Sequence, residues 1–448
     1  MRRLSWHGLC RGSLQEYVSE GIRFRGDTFQ KGKLLSISAR PAAAQPAAAP
    51  PTLHINFLDG LRGLAALDVV LFHFLSFNLS GLPPWLLHLT KLTETGHSAV
   101  TVFIALSGFS LMLPVARSKD GQLQGGLVGF IRRRARRILP PYYAALLLSL
   151  LGLALTPQGL GYLRGVRNPV FLSDFTSPVV LSHLLLLHNM SHAWVFKINM
   201  ALWSVATEWQ IYFALPFVLL PAWRRGGPIA LGVAGLMLGI LPIPLFYFGW
   251  TIVPAFADYV GVFGMGAAGA VWAYQALENE QRRLVLRKNV LAGTAVLVLA
   301  YIFTGKYISP LHSTDTGGAL HMLCVGTLKD LLLGGLVACA LVFGTISRYA
   351  PTSLGFTPFR LLEMPIARTL GAFSYSLYLT HCIVLSQVDA YTAAHHASPI
   401  HAFAFRACLG VPVALVLAYL FHLAFEKPFM VSSRSRNMKI LAEAPTQP

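Results

Sequence analysis

The sequence predicts an all-α fold, a polytopic integral membrane bundle of about ten transmembrane helices, and three observations carry that prediction. Apolar residues make up 54% of the 448-residue chain and charged residues only 12%, about half the charged share of a soluble domain. Apolar stretches recur from Gly60 to Phe425, long enough to cross a hydrocarbon layer roughly 30 Å thick. The basic residues fall between those stretches, so the net charge of +18 reads as orientation in a lipid bilayer. No nucleic-acid partner is expected.

Residues 1–55 are polar and basic and end in the run ARPAAAQPAAAPP, which predicts a disordered extension with a flexible linker. No apolar core follows Met1-Arg2-Arg3, as a signal peptide would require. Glu16, Glu20 and Asp27 weigh against a transit peptide. The membrane domain is expected over 56–430, with spans centred near residues 70, 106, 148, 212, 238, 264, 296, 339, 377 and 414. Residues 431–448 are then a cytoplasmic tail.

Orientation follows from charge. With the N-terminus in the cytoplasm, the inner loops and tail hold 20 Lys and Arg: seven in 116–137, two in 223–227, four in 274–288, three in 348–368 and four after 425. The outer segments hold seven. That bias favours both termini in the cytoplasm, in a cell membrane. The longest outer segment, roughly 157–200, is expected to fold over the outer mouth. Its LSHLLLLHN run is too short to span. Five scattered cysteines without a CxxC give neither a disulfide framework nor a metal site. No internal repeat of the transporter kind is present.

Four constellations carry chemistry. FLDGLRGLAALDVVLFHF, residues 57–74, holds Arg62 and His73 eleven residues apart, within roughly 20° on one helical face and roughly 16 Å apart in depth. With Arg62 at an interface, His73 falls near mid-membrane, as a catalytic base or as a packed polar group. Asp68 lies roughly 140° around the helix from His73 and suits a separate packing contact.

In FIRRRARRILPPYY, Arg134 and Arg137 share a face. A paired guanidinium face suits a polyphosphate, while Arg132, Arg133 and Arg136 suit anchoring. LWSVATEWQIYFALP places Ser204, Glu208 and Tyr212 at i, i+4 and i+8, a carboxylate with hydroxyls on either side or a structural network. Trp203 and Trp209 suit interface anchors as well as ligands. In AFSYSLYLTHCIV, Ser374, Tyr378 and His381 share a face, as cavity lining or as polar glue between helices. Ser107-Gly108 in VTVFIALSGFSLM allows close helix approach.

Together these motifs resemble the acyltransferase 3 family of integral membrane acyltransferases, from about Phe57 to Phe429. The carriers are LDGLRGLAAL with its Arg-x10-His spacing, VFIALSGF, RARRILP, LWSVATEW, SYSLYLTH and FEKPF, in that order. The sequence departs from the pattern at Asp68 and at Ile104-Ala105. The resemblance implies ten helices and acyl transfer, usually of acetyl, from cytoplasmic acyl-CoA to a hydroxyl of a carbohydrate, lipid-linked or small-molecule acceptor. No fused SGNH-type hydrolase domain is expected.

On that reading Arg62, Arg134 and Arg137 hold the coenzyme A phosphates, and His73 acts as general base or acyl carrier. Glu208 orients the acceptor or a proton path. Ser107, Trp203, Ser204, Tyr378 and His381 line the substrate pocket, and no metal is needed. The alternative is a proton-coupled or anion transporter using the same intramembrane Arg, His and Glu groups.

Overall fold

The computed structural model describes residues 55–76, 80–93, 95–155, 176–247, 256–308, 316–349 and 359–430. The Ala/Pro linker and the 431–448 tail lie outside the described residues. Among the described residues every regular element is helical. The ten main helices are α1 (Asn56–Leu75), α2 (Gly96–Arg117), α3 (Gly126–Ala154), α4 (Leu202–Ala214), α5 (Leu220–Ile240), α6 (Tyr259–Leu277), α7 (Glu280–Phe303), α8 (Thr316–Tyr349), α9 (Ser374–Ala394) and α10 (Val411–Phe421).

The expected count of ten spans is not reproduced by length and composition. Seven helical stretches among the described residues are long and apolar enough to cross a membrane. The difference has a physical cause. α1 carries Asp59, Arg62 and Asp68, and α9 carries a run of Ser, Tyr, Thr and His, so the candidate site residues themselves lower the hydropathy of their helices. The centres near 212 and 238 both fall in one continuous stretch, Leu202–Pro244. That stretch is interrupted at Gly226-Gly227, where Gly227 has φ 69°, a conformation that favours a residue without Cβ.

α6 is the centre of one half of the bundle and packs on α2, α5 and α8. It is rich in Gly and Ala, which lets backbones meet without side chains between them. A Cβ at Gly108 of α2 would collide with the Phe263 carbonyl of α6, and one at Gly266 with the Ala105 carbonyl of α2. The Ser107-Gly108 pair therefore splits its work, with Gly108 turned to α6. In the other half α1, α9 and α10 close around Ala66, Val70, Phe74, Leu377, Ala414 and Ala418.

The start of α1, the end of α2 and the start of α3 share the arginine-rich basic end of the bundle. His73 lies in the last turn of α1, two residues before its end. Its neighbour Phe72 packs on Gly96, the first residue of α2. α1 ends just past His73 but the bundle does not: the His381 ring is 5.0 Å from that of His73, and α9 runs on to Ala394. Arg62 lies six residues inside α1 rather than at its tip.

Candidate active site

A cavity of about 210 Å³ opens between α1, α2, α3, α4 and α9. Arg62, Arg134 and Arg137 line it together with Ser107, Ser204, Glu208, Tyr212, Ser374 and Tyr378. Five helices thus bring polar side chains from five separate sequence motifs into one hollow.

The arginines divide between cavity and surface. Arg132, Arg133 and Arg136 are exposed, while Arg134 and Arg137 are half-buried and face the cavity. The Nε of Arg134 is buried without a hydrogen-bond partner. An unmet buried donor costs on the order of 1–3 kcal/mol. Arg62 is held in place from two sides: it donates to Asp59 Oδ1 at 3.0 Å and to Ser110 Oγ at 2.7 Å. Asp59 and Ser110 were not among the expected site residues. Ser110 was findable, because it falls one turn after Ser107 on α2.

Glu208 accepts at one oxygen, Oε1, from Ser107 Oγ at 2.7 Å and from Tyr212 OH at 2.6 Å. The Tyr212 half of the expected i, i+4, i+8 arrangement is present. The Ser204 half is not, because Ser204 donates to Tyr378 OH at 2.7 Å on α9. Ser107, from another helix, takes the place expected for Ser204. Tyr375, beside Tyr378, also lines the cavity and donates to the Ile138 carbonyl at 3.1 Å.

Three expected residues stand outside the cavity lining. His73 and His381 form a pair just beyond it. Tyr378 is 5.9 Å from the His381 ring, centroid to centroid, and the His381 and His73 rings are 5.0 Å apart. His381 is therefore a partner of His73 rather than pocket lining. Trp203 belongs to an aromatic cluster, 4.0 Å from Phe256 and 5.7 Å from Tyr259. Beside it His97 meets Asp330 at 2.9 Å and Thr101 donates to the same carboxylate at 3.1 Å, a network no sequence motif marked. Asp68 accepts from Thr95 at 2.7 Å, the separate contact that its phase on α1 predicts.

His73, His381 and Cys382 offer two nitrogens and a sulfur within 4.8 Å of one another, a donor set that suits a soft metal. His73 Nδ1, however, lies 2.8 Å from the Val69 carbonyl. It must carry a proton there, which is incompatible with ligation through that atom.

Part of the 157–200 segment lies outside the described residues. The rest, from residue 176, holds the Ser177–Leu184 helix and does not span. Asn199 ties it to α3 and α9, donating to Ser149 Oγ at 2.9 Å and the Leu379 carbonyl at 3.1 Å. His183 and His188 stack at 3.9 Å. Burial, and then the adjacent His183 ring, push His188 down to about 3.

The order of motifs and the cavity they build have counterparts in known proteins. The family described as an acyltransferase domain, Acyl_transf_3, matches residues 55–422. Among curated proteins the chain is similar to "Putative peptidoglycan O-acetyltransferase YrhL" of Bacillus subtilis (strain 168), 28% identical over 359 residues. That alignment covers 74% of this chain and 49% of the relative, so the chain spans about half the length of the curated relative it matches. No solved structure matches. With most of its length matched and its motifs gathered around one polar cavity, the chain belongs to the acyltransferase 3 family.

Proposed function

We propose that the chain is a membrane O-acyltransferase that takes an acyl group from acyl-CoA at its basic end and delivers it to a hydroxyl beside His73. Acetyl-CoA is the donor in this reading, and the basic end faces the cytoplasm of the cell. The acceptor is a glycan, a lipid-linked intermediate or a small molecule, and the name of the B. subtilis relative favours a glycan.

One observation carries the reading: the buried, unpartnered Nε of Arg134 in a cavity shared with Arg62 and Arg137. Three guanidinium groups around one cavity, one of them with an unmet buried donor, suit phosphate oxygens, which accept in the geometry the fork presents. From there the cavity runs past Ser107 and Ser204 to Tyr378, whose ring lies 5.9 Å from that of His381. Arg62 and His73 stand roughly 16 Å apart along α1, a separation suited to a thin pantetheine arm. His73 then takes the proton of the acceptor hydroxyl, and Glu208 with Ser107 and Tyr212 orients groups in the cavity. A proton or anion pathway would use the same groups, but membership of an acyltransferase family favours transfer.

Calorimetric titration of the purified protein with coenzyme A tests this. Arg134→Ala and Arg137→Ala should each weaken binding about 10- to 100-fold, and Arg134→Lys should recover only part of the loss. Absence of binding to the unmodified protein, or equal binding by all forms, would remove the phosphate site and put the transporter reading first.

A further inference from the structure

We propose that His381 is the positioning residue of His73: a neutral imidazole that accepts a second hydrogen bond from the Nδ1–H of the base and steadies the charged form of that ring. This rests on the reading of His73 as the base. In a hydrolase triad a carboxylate holds that position.

Counting protons on the two rings leads to it. His381 is fully buried. Its Nδ1 lies 2.8 Å from the Tyr378 carbonyl and 3.2 Å from the Leu377 carbonyl. A carbonyl only accepts, so Nδ1 carries the ring proton and Nε2 keeps the lone pair. Two groups face that lone pair, Cys382 Sγ at 3.3 Å and His73 Nδ1 at 3.3 Å. His73 Nδ1 is also 2.8 Å from the Val69 carbonyl. It therefore carries a proton that is shared between Val69 O and His381 Nε2. The remaining nitrogen of His73, Nε2, is the basic one.

The transfer step then balances. The acceptor hydroxyl gives its proton to His73 Nε2 as its oxygen bonds to the thioester carbonyl carbon. The C–S bond breaks, and the proton passes from His73 to the departing sulfur, leaving the thiol of coenzyme A. His381 neither gains nor loses a proton. While His73 is an imidazolium, its Nδ1–H bond to His381 is charge-assisted and stronger than in the resting state. An aspartate at this place would be a buried carboxylate, costly without further donors. A neutral imidazole supplies the acceptor without that cost. The bland reading, polar glue between α1 and α9, predicts a loss of stability on removal and no specific loss of turnover.

The test uses the full-length protein with His381→Phe, which keeps bulk and removes the acceptor, and His381→Gln, which keeps an acceptor oxygen. Thiol release from acetyl-CoA, with water or chitotetraose as acceptor, is measured alongside the melting temperature. His381→Phe should lower kcat about 10- to 100-fold with KM for acetyl-CoA within about twofold, and His381→Gln should restore most of it. Full turnover by a folded His381→Phe protein, or equal loss in both variants, overturns the proposal.

Nitrogen-15 NMR of histidine-labelled protein decides it without any acceptor. His73, assigned with His73→Ala, should be the Nδ1–H tautomer in both the unmodified protein and His381→Phe, because the Val69 carbonyl holds that proton, while its Nδ1 chemical shift should move in His381→Phe as the second acceptor is lost. An Nε2–H tautomer in the unmodified protein, or an unmoved Nδ1 shift in the variant, overturns the proposal. Thiol release unaffected by His73→Ala would instead sink the base reading, a separate outcome from the tautomer result.

Discussion

The polar cavity between α1, α2, α3, α4 and α9 and the groove between α5, α6, α7 and α8 are both hollows in one bundle, and they differ in chemistry more than in shape. The groove is the larger, about 530 Å³ against about 210 Å³. Its walls are Ile229, Val233, Leu236, Trp272, Leu297 and Val342, with Asn289 and Cys339 among its few polar residues. Small residues line the space, with Gly269 of α6 against Ala338 of α8 and Ala268 of α6 against Gly232 of α5. α7 buries only Val290 and stands at the edge of the bundle, so lipid suffices to fill a hollow there. In the cavity three arginines, a glutamate and several hydroxyls converge. Volume therefore does not locate chemistry in this fold, whereas convergence of polar groups does.

The sharpest way to break the comparison is to disturb the contact between α2, which lines the cavity, and α6, which lines the groove. Gly108 of α2 lies against α6 with no room for a Cβ. Gly108→Leu should separate the helices and cost more than the 1–3 kcal/mol of ordinary overpacking, because the collision is with backbone. Most of the monodisperse, detergent-solubilised protein should disappear in size-exclusion chromatography. A stable, well-behaved Gly108→Leu protein would show that the α2–α6 crossing is wrongly placed.

A smaller effect is expected inside the cavity. Glu208→Ala removes the acceptor shared by Ser107 and Tyr212 and should lower turnover about 10- to 100-fold. Its melting temperature should fall far less than that of Gly108→Leu. Turnover within about twofold of the unmodified protein would reduce Glu208 to a structural role.

The smallest effect belongs to the groove. Val233→Ala and Leu297→Ala remove apolar surface where no convergent polar group stands. Thiol release from acetyl-CoA should stay within about twofold, by analogy with surface substitutions remote from special features. A tenfold loss in either folded variant would bring the groove into the site and end the distinction.

Read without coordinates, the sequence determines the helical membrane class, because apolar content and the position of basic residues are properties of composition and order. It also puts Arg134 and Arg137 within roughly 60° of each other, but the same step of about 100° per residue sets Arg133 within roughly 40° of Arg137, so phase alone does not choose which arginines turn inward. The same phase separates Asp68 from His73.

Partners across helices are a different matter. Periodicity within α4 pairs Glu208 with Tyr212 but equally with Ser204, and only the approach of α2 and α9 gives Ser107 to Glu208 and Tyr378 to Ser204. Likewise SYSLYLTH marks His381 as polar without saying that α9 sets it 3.3 Å from His73 of α1. The sequence of α1 also does not say that its last turn is met by α2 at Gly96 while α9 runs on beside it. Local phase is fixed by bonds along one helix. Pairing is set by how helices far apart in the chain pack, and that was left to the tertiary structure.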